Sequence, residues 1–185
     1  MSAGGEAAAP VRDVRARLAD MRETVAPAVG GADVAKRLRA FEDGTLYIDS
    51  TIGAAFTAWL IDAVLVTGPA IALAVLYGTR STDPDAGAGA GVIAIALLIV
   101  LPLCYGWAYR NGRALGGLLT ATRLVRMKDG SRIGLAKAGW AMLIRTLLMP
   151  FAFWAALDGL SQVRVSIDDP ATQRLGAAGF DRLRP

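Results

Sequence analysis

The chain has 185 residues, 54% of them hydrophobic, with a mean hydropathy of +0.43, a net charge of +4 and a pI near 9.6. That is too apolar for an ordinary water-soluble domain, and the apolar residues are gathered into a few blocks, so one small membrane domain with polar tails is the natural reading. There is no histidine, and the one cysteine, Cys104, falls inside an apolar block. An intrachain disulfide, a thiol–imidazole pair and a histidine-containing zinc site are therefore excluded.

Residues 1–9 are small and polar enough to be disordered, and the first apolar block begins too late for a cleaved signal peptide, so the first span is expected to act as its own insertion signal. From Pro10, the residues Val11, Val14, Leu18, Met21 and Val25 recur at spacings of three and four up to Pro27. This predicts an amphipathic helix, short of the heptads a coiled coil needs and suited to a surface or a partner. A second helix is predicted with Asp33 as N-cap and Val34, Leu38 and Phe41 opposite Lys36, Arg37 and Arg39, lying on anionic headgroups or forming a solvated linker. Tyr47 stands where an interfacial aromatic is expected, and Asp49, Ser50 or Thr51 can cap the first span.

Residues 51–77 contain a single charge, Asp62. An uncharged run of that length reads as a transmembrane helix. It is expected to tilt or to break at Gly68-Pro69, because Pro69 has no amide hydrogen for the carbonyl of Leu65. An ionisable group inside a span faces a partner or a wet cavity. Asp62 therefore has two readings: a cation or proton site beside the Leu65 carbonyl, or a structural carboxylate ion-paired to another helix. Residues 78–90 read as a loop, with Asp-Pro and alternating glycines. Residues 91–109 form a second span, kinked at Pro102, with Tyr105, Trp107 and Tyr109 as an aromatic belt.

Residues 110–137 carry Arg110, Arg113, Arg123, Arg126, Lys128, Arg132 and Lys137 against the lone acid Asp129. Basic loops stay in the cytoplasm, which also places the arginine-rich N-terminus there. Asp129-Gly130, between 124–128 and 131–133, predicts a small cytoplasmic β-hairpin. Arg113, Arg123, Arg126, Lys128 and Arg132 are candidates for anionic lipid headgroups or a protein partner, and nucleic acid is not expected. Gly112, Gly116 and Gly117 lack the Gly-Lys-Ser/Thr that a phosphate loop requires, so close packing or flexibility explains them better.

The third block, residues 138–157, holds Arg145 and Pro150. Either it is a full span whose Arg145 pairs with Asp62, or Lys137, Ala141 and Arg145 form a polar stripe in the interface and the remainder, out to about residue 160, dips in and returns. The arginines of the C-terminal tail favour the second reading. Asp168-Asp169 before Pro170 suits a turn cap better than a metal. The expected architecture is an all-α integral membrane protein with two transmembrane helices, a third Pro-broken embedded segment, a β-hairpin and amphipathic N-terminal helices. Its regions are 1–50, a membrane domain 51–165 and a tail 166–185.

In their order, Ala58-Trp59-Leu60-Ile61-Asp62, Gly112-Arg113-Ala114-Leu115-Gly116, Thr122-Arg123-Leu124-Val125 with Asp129-Gly130, Ala141-Met142-Leu143-Ile144-Arg145 and Gln173-Arg174-Leu175-Gly176 resemble the RDD family of bacterial membrane proteins. The resemblance covers about residues 50–180. The family's mid-helix aspartate corresponds to Asp62, whereas 52–56 holds no basic residue and Ala177 replaces an expected acid. The resemblance implies transport, with cation/proton antiport ascribed to some relatives. The sequence thus supports two expectations: an oligomeric transport protein of the plasma membrane using Asp62, Leu65, Pro69 and Arg145, or a non-catalytic membrane adaptor. No nucleophile with its base is recognisable, and neither a cofactor nor a metal is expected.

Overall fold

The structure, a computed structural model, describes residues 8–108, 113–131, 134–155 and 164–183. Residues 1–7, Tyr109, Arg110, Gly112, Arg132 and Ile133, on which expectations fell, lie outside the described residues. The chain divides into two compact units. A polar unit joins Met1–Thr51, Val125–Ser131 and Val163–Pro185, and an apolar unit joins Ile52–Leu124 and Arg132–Gln162.

The polar unit opens with α1 (Ala8–Val29), which contains Pro27 instead of ending at it. Two glycines stop the helix two residues later. Gly30 has φ 103°, and the Gly31 amide donates to the Ala26 carbonyl at 2.8 Å, the long reverse bond that closes a helix on a left-handed glycine. The apolar stripe packs inward: Leu18, Val25 and Val29 are buried with Leu38, Leu46, Ile48, Ala171 and Leu175. The predicted second helix is corrected. Only Ala32–Ala35 is helical (α2), Asp33 pairs with Lys36 rather than capping, and Leu38–Ala40 is a strand, β1.

Strand β1 pairs antiparallel with β2 (Leu46–Ile48), with Leu38 opposite Ile48. All three β2 residues are buried because the strand has a core on each face. Leu46 and Ile48 face α1, while Tyr47 joins Phe41, Val125, Val165 and Ile167. Tyr47 is thus a core residue, not an interfacial anchor. Its ring stacks on Phe41 with centroids 4.2 Å apart, and its hydroxyl meets the Met127 sulfur at 3.8 Å. Burial, with help from the Asp49 charge, pushes the phenol up to about 12. Folding therefore gains in full below the unfolded value near 10, and that gain is lost as pH rises through about 12. The difference between the wild-type and Tyr47→Phe phenolate titrations is expected to have its midpoint near 12. A midpoint near 10 would mean a solvated phenol.

The predicted hairpin is half right. Strand β3 (Thr122–Arg126) leads into the Asp129-Gly130 turn, and the Arg126 amide donates to the Ser131 carbonyl at 3.1 Å. The Asp129 side chain accepts bonds from Ser131, which hold its carboxyl below the usual range. In the sheet β3 pairs with β4 (Arg164–Asp168), whereas residues 132–133 of the expected second strand lie outside the described residues. Strand β4 runs into α7 (Asp169–Ala177), where Asp168 caps the helix by accepting from the Ala171 amide and also bridges Arg37 at 3.0 Å.

In the apolar unit, α3 (Ile52–Arg80) and α4 (Ala86–Ala108) are long and apolar enough to cross a bilayer. Their most apolar windows are only 22% and 6% buried, unlike the core helices of a soluble protein. Both helices run through their prolines, so the expected break at Pro69 is corrected. The loop shrinks to 81–85, and the alternating glycines become the first turns of α4. A β-carbon on Gly89 would lie 2.8 Å from the Tyr77 ring, and one on Gly78 3.2 Å from the Ala90 methyl. Close approach explains these glycines better than a loop.

Helix α5 (Leu115–Leu119) and helix α6 (Leu135–Ala155) complete the unit. Helix α6 is continuous through Pro150, correcting the Pro-broken segment. It meets α4 where a β-carbon on Gly106 would lie 2.5 Å from the Gly139 Cα and 2.6 Å from the Ala138 carbonyl oxygen. Both obstacles are backbone. Gly106→Ala is expected to push the helices apart and cost about 1–3 kcal/mol, read as a lowered unfolding midpoint in detergent. An unchanged midpoint would contradict this packing.

Candidate functional site

On α3 the residues Ala58, Asp62, Val66, Ala70 and Ala74 are buried at four-residue intervals, a seam of mostly small side chains that lets neighbouring helices approach. Asp62 lies in that seam, fully buried. Its Oδ1 accepts from the Tyr105 hydroxyl of α4 at 2.9 Å and from the Gly116 amide of α5 at 2.8 Å. Its Oδ2 accepts from Arg145 Nη1 of α6 at 3.1 Å, a pair whose side chains are 1% and 12% exposed.

Two further bonds fix this arrangement. The Tyr105 hydroxyl accepts from the Leu115 amide at 3.0 Å while donating to Asp62, and the Trp59 indole donates to the Arg145 carbonyl at 3.2 Å. The first two amides of α5 are thereby tied to α4 and α3. Gly116 is obligatory here, since a β-carbon would lie 2.0 Å from the Ala58 carbonyl oxygen and 2.9 Å from Asp62 Oδ1. Gly117 approaches the Thr122 carbonyl oxygen closely too, its β-carbon position lying 2.8 Å away. The glycines of this segment serve close packing.

The structure brings together Asp62 and Arg145, while the side chains of Leu65 and Pro69 point elsewhere. Leu65 is 45% exposed and Pro69 is exposed on the unbroken α3. The reason is geometric: residues 58, 62 and 66 define the buried face, and the side chain at 65 falls off it. The interfacial stripe of Lys137, Ala141 and Arg145 is also corrected, because Ala141 is 1% exposed and Arg145 faces Asp62. Tyr105, expected in an aromatic belt, is turned to the carboxylate, whereas Trp107 is exposed.

The basic candidates do not form one described set. Arg113 and Arg123 belong to the apolar unit, and Arg126 and Lys128 to the polar unit. Arg132 lies outside the described residues. Sequence reasoning missed Tyr105 and Trp59, and gave close packing as one of two readings of Gly116 without seeing its bond to Asp62. The usable signal was the four-residue recurrence of small residues around Asp62, which marks its face as a helix contact.

Chemically, the cluster has one carboxylate to which a guanidinium and a phenol both donate, with no activated nucleophile beside a base. Among the described residues no group of three histidine, cysteine, aspartate or glutamate side chains could hold a metal. In the polar unit, Arg17, Asp20 and Met21 of α1 and Gly179, Phe180, Arg182 and Leu183 line a groove of about 450 Å³. The fold is thus that of a mainly helical protein with two candidate membrane spans and two small sheets. Comparison with family models, curated proteins and solved structures finds no match.

Proposed function

We propose that this chain is a multi-pass plasma-membrane protein of the RDD type, with a cytoplasmic N-terminus, and that it acts as a non-catalytic scaffold. Its polar unit recruits a protein partner, and its apolar unit serves as the anchor. The observation that carries this reading is the engagement of Asp62: both oxygens of the buried carboxylate accept hydrogen bonds, from Tyr105, Gly116 and Arg145, and the arginine neutralises the charge. A carboxylate so enclosed is a lock between helices, not a group that exchanges cations. Three of the segments that resemble the RDD family meet in this lock, through Asp62, Gly116 and Arg145.

Recruitment is assigned to the groove of the polar unit, whose Met21, Phe180 and Leu183 offer an apolar floor and whose Arg17, Asp20 and Arg182 offer a charged rim. That combination fits an amphipathic segment of a partner protein. In detergent pulldown, one protein should co-enrich with the wild type and be lost with the rim reversal Asp20→Arg plus Arg182→Glu, which leaves the core intact. In liposomes, neither the wild type nor a folded Asp62→Asn variant should carry cation-driven proton flux. Flux present in the wild type and lost in the variant would overturn the scaffold reading in favour of transport.

A further inference from the structure

We infer that α6 does not cross the bilayer: the chain enters and leaves it on the same side, with Trp140, Ile144 and Leu147 seated in lipid. This rests on the membrane reading above. One small core sets the constraint. Phe41 and Tyr47, which precede α3, are packed with Val125, which lies between α4 and α6, and with Val165 and Ile167, which follow α6. Backbone bonds join the same segments, from the Glu42 amide to the Met127 carbonyl and from the Ser50 amide to the Ser166 carbonyl. A packed core cannot be divided by a membrane. Each excursion from it must therefore end on the side where it began.

The first excursion satisfies this with two crossings, α3 and α4. The second contains one long helix. A helix of 21 residues is roughly 30 Å long, about the thickness of the hydrocarbon layer. Between Ala155 and Arg164 lie only eight residues. Returning through the whole layer would demand a fully extended chain of about 3.3–3.6 Å per residue, with its amides and carbonyls unpaired in hydrocarbon. Parity and reach together rule out a full crossing by α6.

The surface of α6 fits a helix partly immersed in lipid. Ala138, Ala141 and Met142 are buried, while Trp140, Ile144 and Leu147, at spacings of four and three, are 60%, 49% and 40% exposed. That outward stripe carries no charge, whereas Lys137 near the helix start is exposed to mark the watery end.

The test uses the full chain in sealed membrane vesicles of both orientations. Cys104 is replaced by serine, and single cysteines are introduced at exposed positions as Ala32→Cys, Thr82→Cys, Lys128→Cys, Ala177→Cys and Ile144→Cys. A membrane-impermeant maleimide should label the Ala32, Lys128 and Ala177 variants from one face, the Thr82 variant from the other, and the Ile144 variant from neither. Labelling of the Ala177 variant from the Thr82 face would overturn the inference while leaving the membrane reading intact. Labelling of the Thr82 and Ala32 variants from the same face would instead sink the membrane reading. An oxidative cross-link between two Ile144→Cys chains would overturn lipid as the occupant in favour of a second copy.

Discussion

Arg145→Met is expected to be among the most damaging single changes in the apolar unit. It leaves Asp62 with the Tyr105 and Gly116 bonds but with a buried, uncompensated negative charge. Removing one member of a buried ion pair costs about 3–5 kcal/mol. Most of that cost comes from stranding the other charge, so adding Asp62→Asn to Arg145→Met should restore much of the loss. An asparagine oxygen can still accept from Gly116 and Tyr105 without needing a countercharge. The two single variants and the double variant form a cycle measured by unfolding in detergent. The lock requires a strong positive coupling. Additive losses, or an Arg145→Met variant as stable as wild type, would show that the pair does not hold the helices.

The second large effect is expected from Gly116→Ala. The added carbon would sit 2.0 Å from the Ala58 carbonyl oxygen, and 2.8 Å from the carbonyl carbon behind it, on α3 backbone that cannot swing aside like a side chain. Helix α5 must retreat, breaking the 2.8 Å amide bond to Asp62 and straining the adjacent Leu115–Tyr105 bond. The variant therefore loses packing and leaves the carboxylate short of a donor, a combination worth more than the roughly 1–3 kcal/mol of simple overpacking. Hydrogen exchange provides the local readout: the amides of Leu115 and Gly116 should lose protection even where the rest of α3 keeps it. Unchanged protection at both amides would contradict the assigned contact.

The contrast between these two residues explains how far the sequence alone could lead. Asp62 and Arg145 stand out because charge inside an apolar block is conspicuous, and pairing them was one of two open readings. Gly116 and Tyr105 carry no such mark. Gly116 lies in a loop-like run of glycines, and Tyr105 sits among aromatics that usually line a membrane interface, so only their spatial neighbours reveal their roles. The strands failed for the same reason. Leu38 fits a helical face with Val34 and Phe41 when read locally, but β1 exists because Ile48, Tyr47 and Leu46 lie opposite it. Likewise β3 pairs with β4, almost forty residues away. Apolar length and charge are local quantities, whereas strand partners and close contacts are not. Pro69 and Pro150 misled in the opposite direction, because one lost hydrogen bond does not by itself end a helix.

The three-part composition of the polar unit also sets an order of events in biosynthesis. Residues 8–51 cannot complete their core until Val165, Ile167, Ala171 and Leu175 have been made. At about 5–20 residues per second, translating from residue 52 to residue 175 takes roughly 6–25 seconds. Throughout that interval the apolar stripe of α1 lacks the residues that cover it. A chain that stops before α7 therefore leaves Leu18, Val25 and Val29 without the Ala171 and Leu175 that complete their core.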